Sequence, residues 1–145
     1  MKAQLKTDHT LQVFEIKGIT HYALPVQDYD GYFATTLGNI ISTRKGTPAV
    51  LSPWLCHRGY GRVTIHSSEG NKHKRVHRLV AETYFDIPDN DRFGKERNQV
   101  NHIDGDASNN APRNLEWCSG KENMEHWNVL VAVNNAKNST KEITL

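Results

Sequence analysis

Cysteine is scarce in this chain, which holds only Cys56 and Cys118 and no C-x-x-C pair. Two distant thiols give no foundation for a disulfide framework or a cysteine-based zinc knuckle. Both read as ordinary buried or half-buried small side chains. No run of 18 apolar residues occurs, so no spanning helix is expected. The opening MKAQLKTDHT lacks the apolar stretch of a secretory signal. These absences point to a soluble intracellular protein with no membrane partner. At 145 residues the chain suits one domain, or a small module joined to another, with a modest core, and it is too short for a large multidomain enzyme.

Net charge is also small, +2, but it is unevenly spread. Between Arg58 and Arg78 six Lys or Arg stand against one acid, Glu69, with His66, His73 and His77 among them. Between Leu79 and Leu145 seven Lys or Arg stand against eleven acids. Such a basic block has the electrostatic footprint of a polyanion-binding face, because each phosphate contact releases counterions. A solvated charged surface is the alternative.

Hydrophobic patterning predicts a β-rich first half. A short strand is expected at Leu11 to Ile16 and a turn around Asp28 to Gly31. YFATT (Tyr32 to Thr36) and NIIST (Asn39 to Thr43) flank Leu37-Gly38 as a tight hairpin. From Gly59 to His66 the chain alternates, with Val63 and Ile65 toward one face and Tyr60, Arg62, Thr64 and His66 toward the other. SSEGNK turns the chain, and His73 to Val76 returns antiparallel, bringing Lys74 and Arg75 near Arg62. A basic, aromatic-bearing sheet of this kind can lie in a DNA groove; an exposed hairpin with solubilising charge is the plainer reading. From His77, RLVAETYF has helical spacing and ends before Pro88. A polar loop, Asp86 to Asn98, leads to short strands at Gln99 to Asn101 and Asn114 to Cys118. Ser119 and Glu122 then form the S-x-x-E signature of a capping box. The helix it starts is expected to reach about Ala136, with Met124, Trp127, Leu130 and Val131 inward, followed by a frayed tail.

Between Gln99 and Asn123 the chain gathers His102, Asp104, Asp106 and a series of asparagines. Turns account for most of them, but not for His102 at a strand end or Asn123 just inside a capped helix. The order strand, polar turn, strand, helix resembles the HNH nuclease family, and most closely its phage and intron-encoded homing endonucleases. The resemblance rests on HRLVAET from His77, VNHIDGDASNN from Val100, RNLEWC from Arg113 and KEN from Lys121. It extends more weakly upstream through LGNIIS from Leu37 and GYGRVTI from Gly59, covering most of residues 32 to 130.

The resemblance implies an α+β chain in which a ββα-metal (HNH) nuclease module, residues 76–136, follows a small antiparallel β-sheet DNA-binding region, residues 1–75, with 137–145 a flexible tail. It implies His102 as general base, Asn114 as the residue pinning the turn, and Asn123 as a metal ligand, with Asn101 as a second ligand. Imidazole ordinarily titrates near pH 6.5, about where a base for an attacking water is needed. An oxygen-rich site without cysteine suits Mg²⁺ or Mn²⁺. The family often has an aspartate where Asn101 stands, so weak cation binding is expected; Asp104 or Asp106 as the missing carboxylate stays open. Arg58, Tyr60, Arg62, Lys72, Lys74, Arg75, His77 and Arg78 are the candidate contacts to double-stranded DNA, His77 as a helix cap or phosphate contact. His126 either supports the site or decorates the surface, and Trp117 and Trp127 are expected in the core. The expected activity is hydrolysis to 5′-phosphate and 3′-hydroxyl ends, by a monomer that nicks or a homodimer that cuts both strands. The setting is the cytoplasm, that of the host if a phage encodes the chain. Many relatives carry a helical DNA-reading module after the nuclease, for which this chain ends too soon. A DNA-binding module with a decayed nuclease site is the rival reading, and a protein stacking single-stranded RNA on Tyr60 or Trp54 a third.

Overall fold

A computed structural model describes residues 10–143, with side chains as far as residue 138. Five strands, β1 (Gln12–Ile16), β2 (Ile19–Pro25), β3 (Tyr32–Thr35), β4 (Ile40–Ser42) and β5 (Ala49–Val50), form an antiparallel meander in chain order. A second sheet pairs β6 (Trp54–Leu55), β7 (Gly61–Ser67) and β8 (Gly70–Arg75), and α1 (Val76–Tyr84) follows without a break. After an irregular loop, β9 (Gln99–His102) and β10 (Leu115–Cys118) pair antiparallel, and α2 (Gly120–Ile143) closes the chain. The architecture is α+β. Among the described residues, no helix is long and apolar enough to cross a membrane.

One core joins these pieces. Leu24, Tyr32 and Ile40 of the meander, Val63 and Ile65 of β7, Leu79 and Val80 of α1, and Val100, Leu115 and Trp117 of the β9–β10 pair belong to a single buried cluster. The apolar stripe of α1 lies between the sheets, where the Tyr84 hydroxyl donates to the Ala34 carbonyl at 2.8 Å. In the β3–β4 turn Gly38 adopts φ +88°, and a Cβ there would lie 2.2 Å from the carbonyl carbon of Asn110. Only glycine lets this turn press against the loop before β10.

Three sequence expectations are corrected. Ladder partners share a face of a sheet, and Lys72 and Lys74 pair with Ile65 and Val63 whereas Arg75 pairs with Arg62. Lys72 and Lys74 therefore lie on the other face from Arg62, with their ammonium groups 6.0 and 5.7 Å from the centre of the Tyr29 ring. In α2, Met124 and Trp127 are 61% and 58% exposed, Val131 is exposed and Leu130 half-buried, instead of all four facing inward. Strands of four residues extend about 13 Å, whereas a helix of this length extends about 36 Å, so α2 overruns the pair on which it packs. The helix passes the expected end at Ala136 and reaches Ile143; the last two residues of the expected tail, like residues 1–9, lie outside the described residues.

Candidate active site

The turn between β9 and β10 is held by its own side chains. Buried Asn114 donates through Nδ2 to Asp104 Oδ1 and to the Asn109 carbonyl, both at 2.9 Å, and its Oδ1 accepts from the Asp104 amide at 3.1 Å. Asp104 also accepts from Asn109 Nδ2 at 2.9 Å and from the Asp106 amide at 2.8 Å. Asp106 Oδ1 accepts from the Ser108 amide and hydroxyl. These donors, Asn109 foremost for Asp104 and Ser108 for Asp106, hold both carboxyls below the usual carboxylate range. Both oxygens of Asp104 and Oδ1 of Asp106 are occupied in building the turn.

At the end of β9, buried His102 meets Asn110 Oδ1 through Nε2 at 2.8 Å. An amide oxygen can only accept, so Nε2 carries the proton and Nδ1 keeps a lone pair. Sequence reading took Asn110 as one more turn residue, and nothing in its spacing marks it as the partner of His102.

Three rings come together beside this contact. Tyr60 and His77 stack at 5.0 Å and 27°, and His77 and His102 lie 5.0 Å apart at 43°. Tyr60 also lies 5.8 Å from His102, and the Arg75 guanidinium sits over the Tyr60 ring, 5.3 Å from its centre. Burial, reinforced by His102, Arg75 and Arg78, pushes His77 down to about 3. His77 is thus neutral near neutral pH, and α1 has no side-chain cap from it or any other residue.

Asn101 pairs with Glu116 across the ladder and donates to Glu116 Oε1 at 3.1 Å. Asn123, in the first turns of α2, donates to Gln99 Oε1 at 3.1 Å. Both amides are engaged through Nδ2, and their Oδ1 atoms are the donors left for a ligand. Asn101, His102 and Asn123 line one cavity of about 90 Å³ with Tyr60 and His126. His126 is tied to the Ile103 carbonyl at 2.8 Å, which fastens α2 to the turn. Among the described residues no group of three His, Cys, Asp or Glu side chains is arranged around a cation. Neutral amide oxygens suit a hard divalent cation, held together with water and substrate oxygens.

An adjoining cleft of about 460 Å³ brings together Arg58, Tyr60, Arg62, Arg75, His77 and Arg78, with Cys56, His57, Gln99 and Asn123 on the same wall. Six of the eight predicted DNA contacts meet here; Lys72 and Lys74 do not. Among the described residues Arg62 Nε is buried without a hydrogen-bond partner. His57, Cys56 and Gln99 were not singled out from sequence.

Behind the site the capping box closes reciprocally, Ser119 amide to Glu122 Oε1 at 3.1 Å and Glu122 amide to Ser119 Oγ at 3.2 Å. The Ser119 hydroxyl donates to Asp91 Oδ2 at 2.5 Å, and Arg97 binds Glu122 through two nitrogens at 2.9 and 3.1 Å. The loop before β9 thereby docks on the start of α2, where Asn123 sits. Ser119 is the main cause holding the Asp91 carboxyl low, and Arg97 the main cause for Glu122.

Residues 74–125 match the sequence model of a family described as HNH endonuclease. Over 103 residues the chain is 39% identical to the uncharacterized HNH endonuclease L245 of Acanthamoeba polyphaga mimivirus, an alignment covering 71% of this chain and 29% of that protein. It is 29% identical over 103 residues to the DNA endonuclease I-HmuI of Bacillus phage SP01, covering 70% of this chain and 54% of that protein. The solved structure of the HNH homing endonuclease I-HmuI, reported for DNA binding and cleavage, superposes with a TM-score of 0.54 at 27% identity, covering 90% of this chain and 66% of the other. The chain thus spans about half, or less, of the length of the curated relatives it matches.

Proposed function

The chain belongs to the HNH endonuclease family, and on that premise we propose that it is a divalent-metal-dependent DNA endonuclease of the homing type. The observation that carries this reading is the His102 imidazole, its Nε2 committed to Asn110 at 2.8 Å, beside a cleft lined by four arginines.

Duplex DNA is gripped through its phosphates by Arg58, Arg62, Arg75 and Arg78, whose charges recruit the backbone without reading its sequence. His102 Nδ1, the nitrogen with the lone pair, takes a proton from the attacking water as its oxygen bonds to phosphorus. The P–O3′ bond breaks, leaving a 5′-phosphate, and the 3′-oxygen takes up a proton from water to become a hydroxyl. Asn101 and Asn123 would hold the cation, Mg²⁺ or Mn²⁺, which when bound offsets the charge growing on the phosphoryl and leaving oxygens. Asn114 keeps the turn rigid so that His102 and Asn101 stay in register. One site acts on one phosphodiester, so a monomer nicks and double-strand cleavage needs a homodimer or sequential action.

The test is cleavage of supercoiled plasmid by the parent and His102→Ala, each with Mg²⁺, Mn²⁺ or EDTA, on DNA carrying native-genome sequence. Metal-dependent nicking that falls by about 10²-fold or more in the variant is expected, with DNA binding nearly intact. Equal cleavage by both proteins would refute the assignment. The neutral Asn101 keeps a second reading, a DNA-binding module with a decayed site, in contention; binding without cleavage under every metal and pH would favour it.

A further inference from the structure

We propose that the Tyr60–His77–His102 ring cluster is a positioning device for the general base, in which His77 acts through its ring and not through its nitrogens. The inference rests on the nuclease reading and assigns this reaction a residue that the hydrogen-bonded site leaves out.

A general base must be aimed as well as unprotonated. His102 has one side-chain hydrogen bond, Nε2 to Asn110. A single bond at one corner fixes where the imidazole sits but works as a hinge, and the second side-chain torsion of histidine is broad and soft. A second constraint must act on the ring itself, and His77 supplies it from 5.0 Å together with Tyr60 from 5.8 Å. The second residue of α1, itself packed into the core, His77 has a rigid mount. Tyr60 stacks on His77 at 5.0 Å and reaches His102 itself at 5.8 Å, so the three rings close a triangle, with the Arg75 guanidinium 5.3 Å from the centre of Tyr60. Tyr60 is brought there by two successive left-handed residues, Arg58 at φ 72° and Gly59 at φ 80°. A non-glycine residue at that angle stores strain, so this approach of the chain is specified rather than incidental.

The chemistry of His77 favours a ring role. It is 5% exposed, lining the cleft, and among the described residues its ring nitrogens make no side-chain hydrogen bond. Burial keeps it uncharged, so it adds no positive charge against the proton that His102 receives.

The experiment compares the parent with His77→Leu, which keeps volume and loses the ring, and His77→Phe, which keeps the ring and loses both nitrogens. Single-turnover cleavage with Mg²⁺ and DNA dissociation constants are measured for each. In the metal-free, DNA-free proteins the ring-proton NMR signals of His102 are recorded, assigned by their loss in His102→Ala. His77→Leu is expected to slow cleavage by about thirtyfold or more, the scale of a small misplacement of a reacting group, while DNA affinity stays within about threefold. His102 ring signals should move in that variant as the ring current of its neighbour is lost, and His77→Phe should return cleavage to within about fivefold of the parent. Parent-like cleavage or unmoved His102 signals in His77→Leu would overturn the proposal. So would a His77→Phe as slow as His77→Leu, which would make the nitrogens the working part, and this comparison with the parent decides even if His77→Leu fails to fold. A parent inert with every metal would refute the nuclease reading, while the ring signals would still decide the His77–His102 contact.

Discussion

Acidification from pH 7 to pH 5 should destabilise this protein through His77. Burial depresses this group from an ordinary 6.5 to about 3 in the folded chain. Below 6.5 the unfolded chain binds a proton at this position that the folded chain refuses, so stability is full above that pH and declines as pH falls toward 3. With those two values the loss at pH 5 is about 2 kcal/mol, and it levels at about 5 kcal/mol below pH 3. The figure at pH 5 depends almost entirely on the unfolded value, because the folded group is neutral there whether it titrates at 3 or at 4. The window also avoids the carboxylates. Asp91, Asp104, Asp106 and Glu122 are held low, and their contribution, present above the unfolded values of 3.8 to 4.5, is lost only as pH falls below that range. Urea unfolding of the parent and His77→Phe at pH 7, 6 and 5 isolates the term: the stability difference between them should shift against the parent by about 2 kcal/mol. A difference constant to within about 0.5 kcal/mol would show that His77 is not held neutral by the fold, and the burial argument would be wrong.

Three further outcomes follow from other contacts. Ser119→Ala removes the cap of α2 and the hydroxyl bonded to Asp91, and should cost about 1 to 2 kcal/mol in urea unfolding at pH 7. Gly38→Ala drives a methyl into the Asn110 backbone at a left-handed φ; it should lose more than about 2 kcal/mol and, by shifting the partner of His102, slow cleavage in any fraction that folds. Arg62→Ala should weaken DNA binding and lower the slope of log affinity against log salt by about 1, measured by fluorescence anisotropy, with a parent-like slope refuting a phosphate contact.

Local signals were legible and registers were not. Alternation from Gly61 to His66 and the turn after it announce the β7–β8 hairpin, and the Ser119–Glu122 box announces the start of α2 to the residue. β2 escapes notice because ITHYALP interleaves apolar and polar residues while its buried positions are His21, Ala23 and Leu24. β5 and β6, at two residues each, are too short to carry a period. The faces of Lys72 and Lys74 depended on which residues they oppose in the ladder, which composition does not state. The apolar spacing along α2 suggested a buried stripe, but how much of a helix is covered depends on the length of what it packs on.

The candidate site divides along the same line. His102, Asn114 and Asn123 were readable because strand end, turn and capped helix are local features with residue types that turns alone do not require. The second layer is set by distance in space. Asn110 is reached through Gly38, from a hairpin far upstream, and His77 meets Tyr60, 17 positions before it, and His102, 25 positions after it. No periodicity relates three residues on a turn, a helix and a strand. A histidine at the start of a helix beside arginines suggests a cap or a phosphate contact; the structure shows no cap, and burial beside two rings leaves the group neutral. The charge of the basic block gathers in the cleft at Arg58, Arg62, Arg75 and Arg78, where His77 lies beside them uncharged.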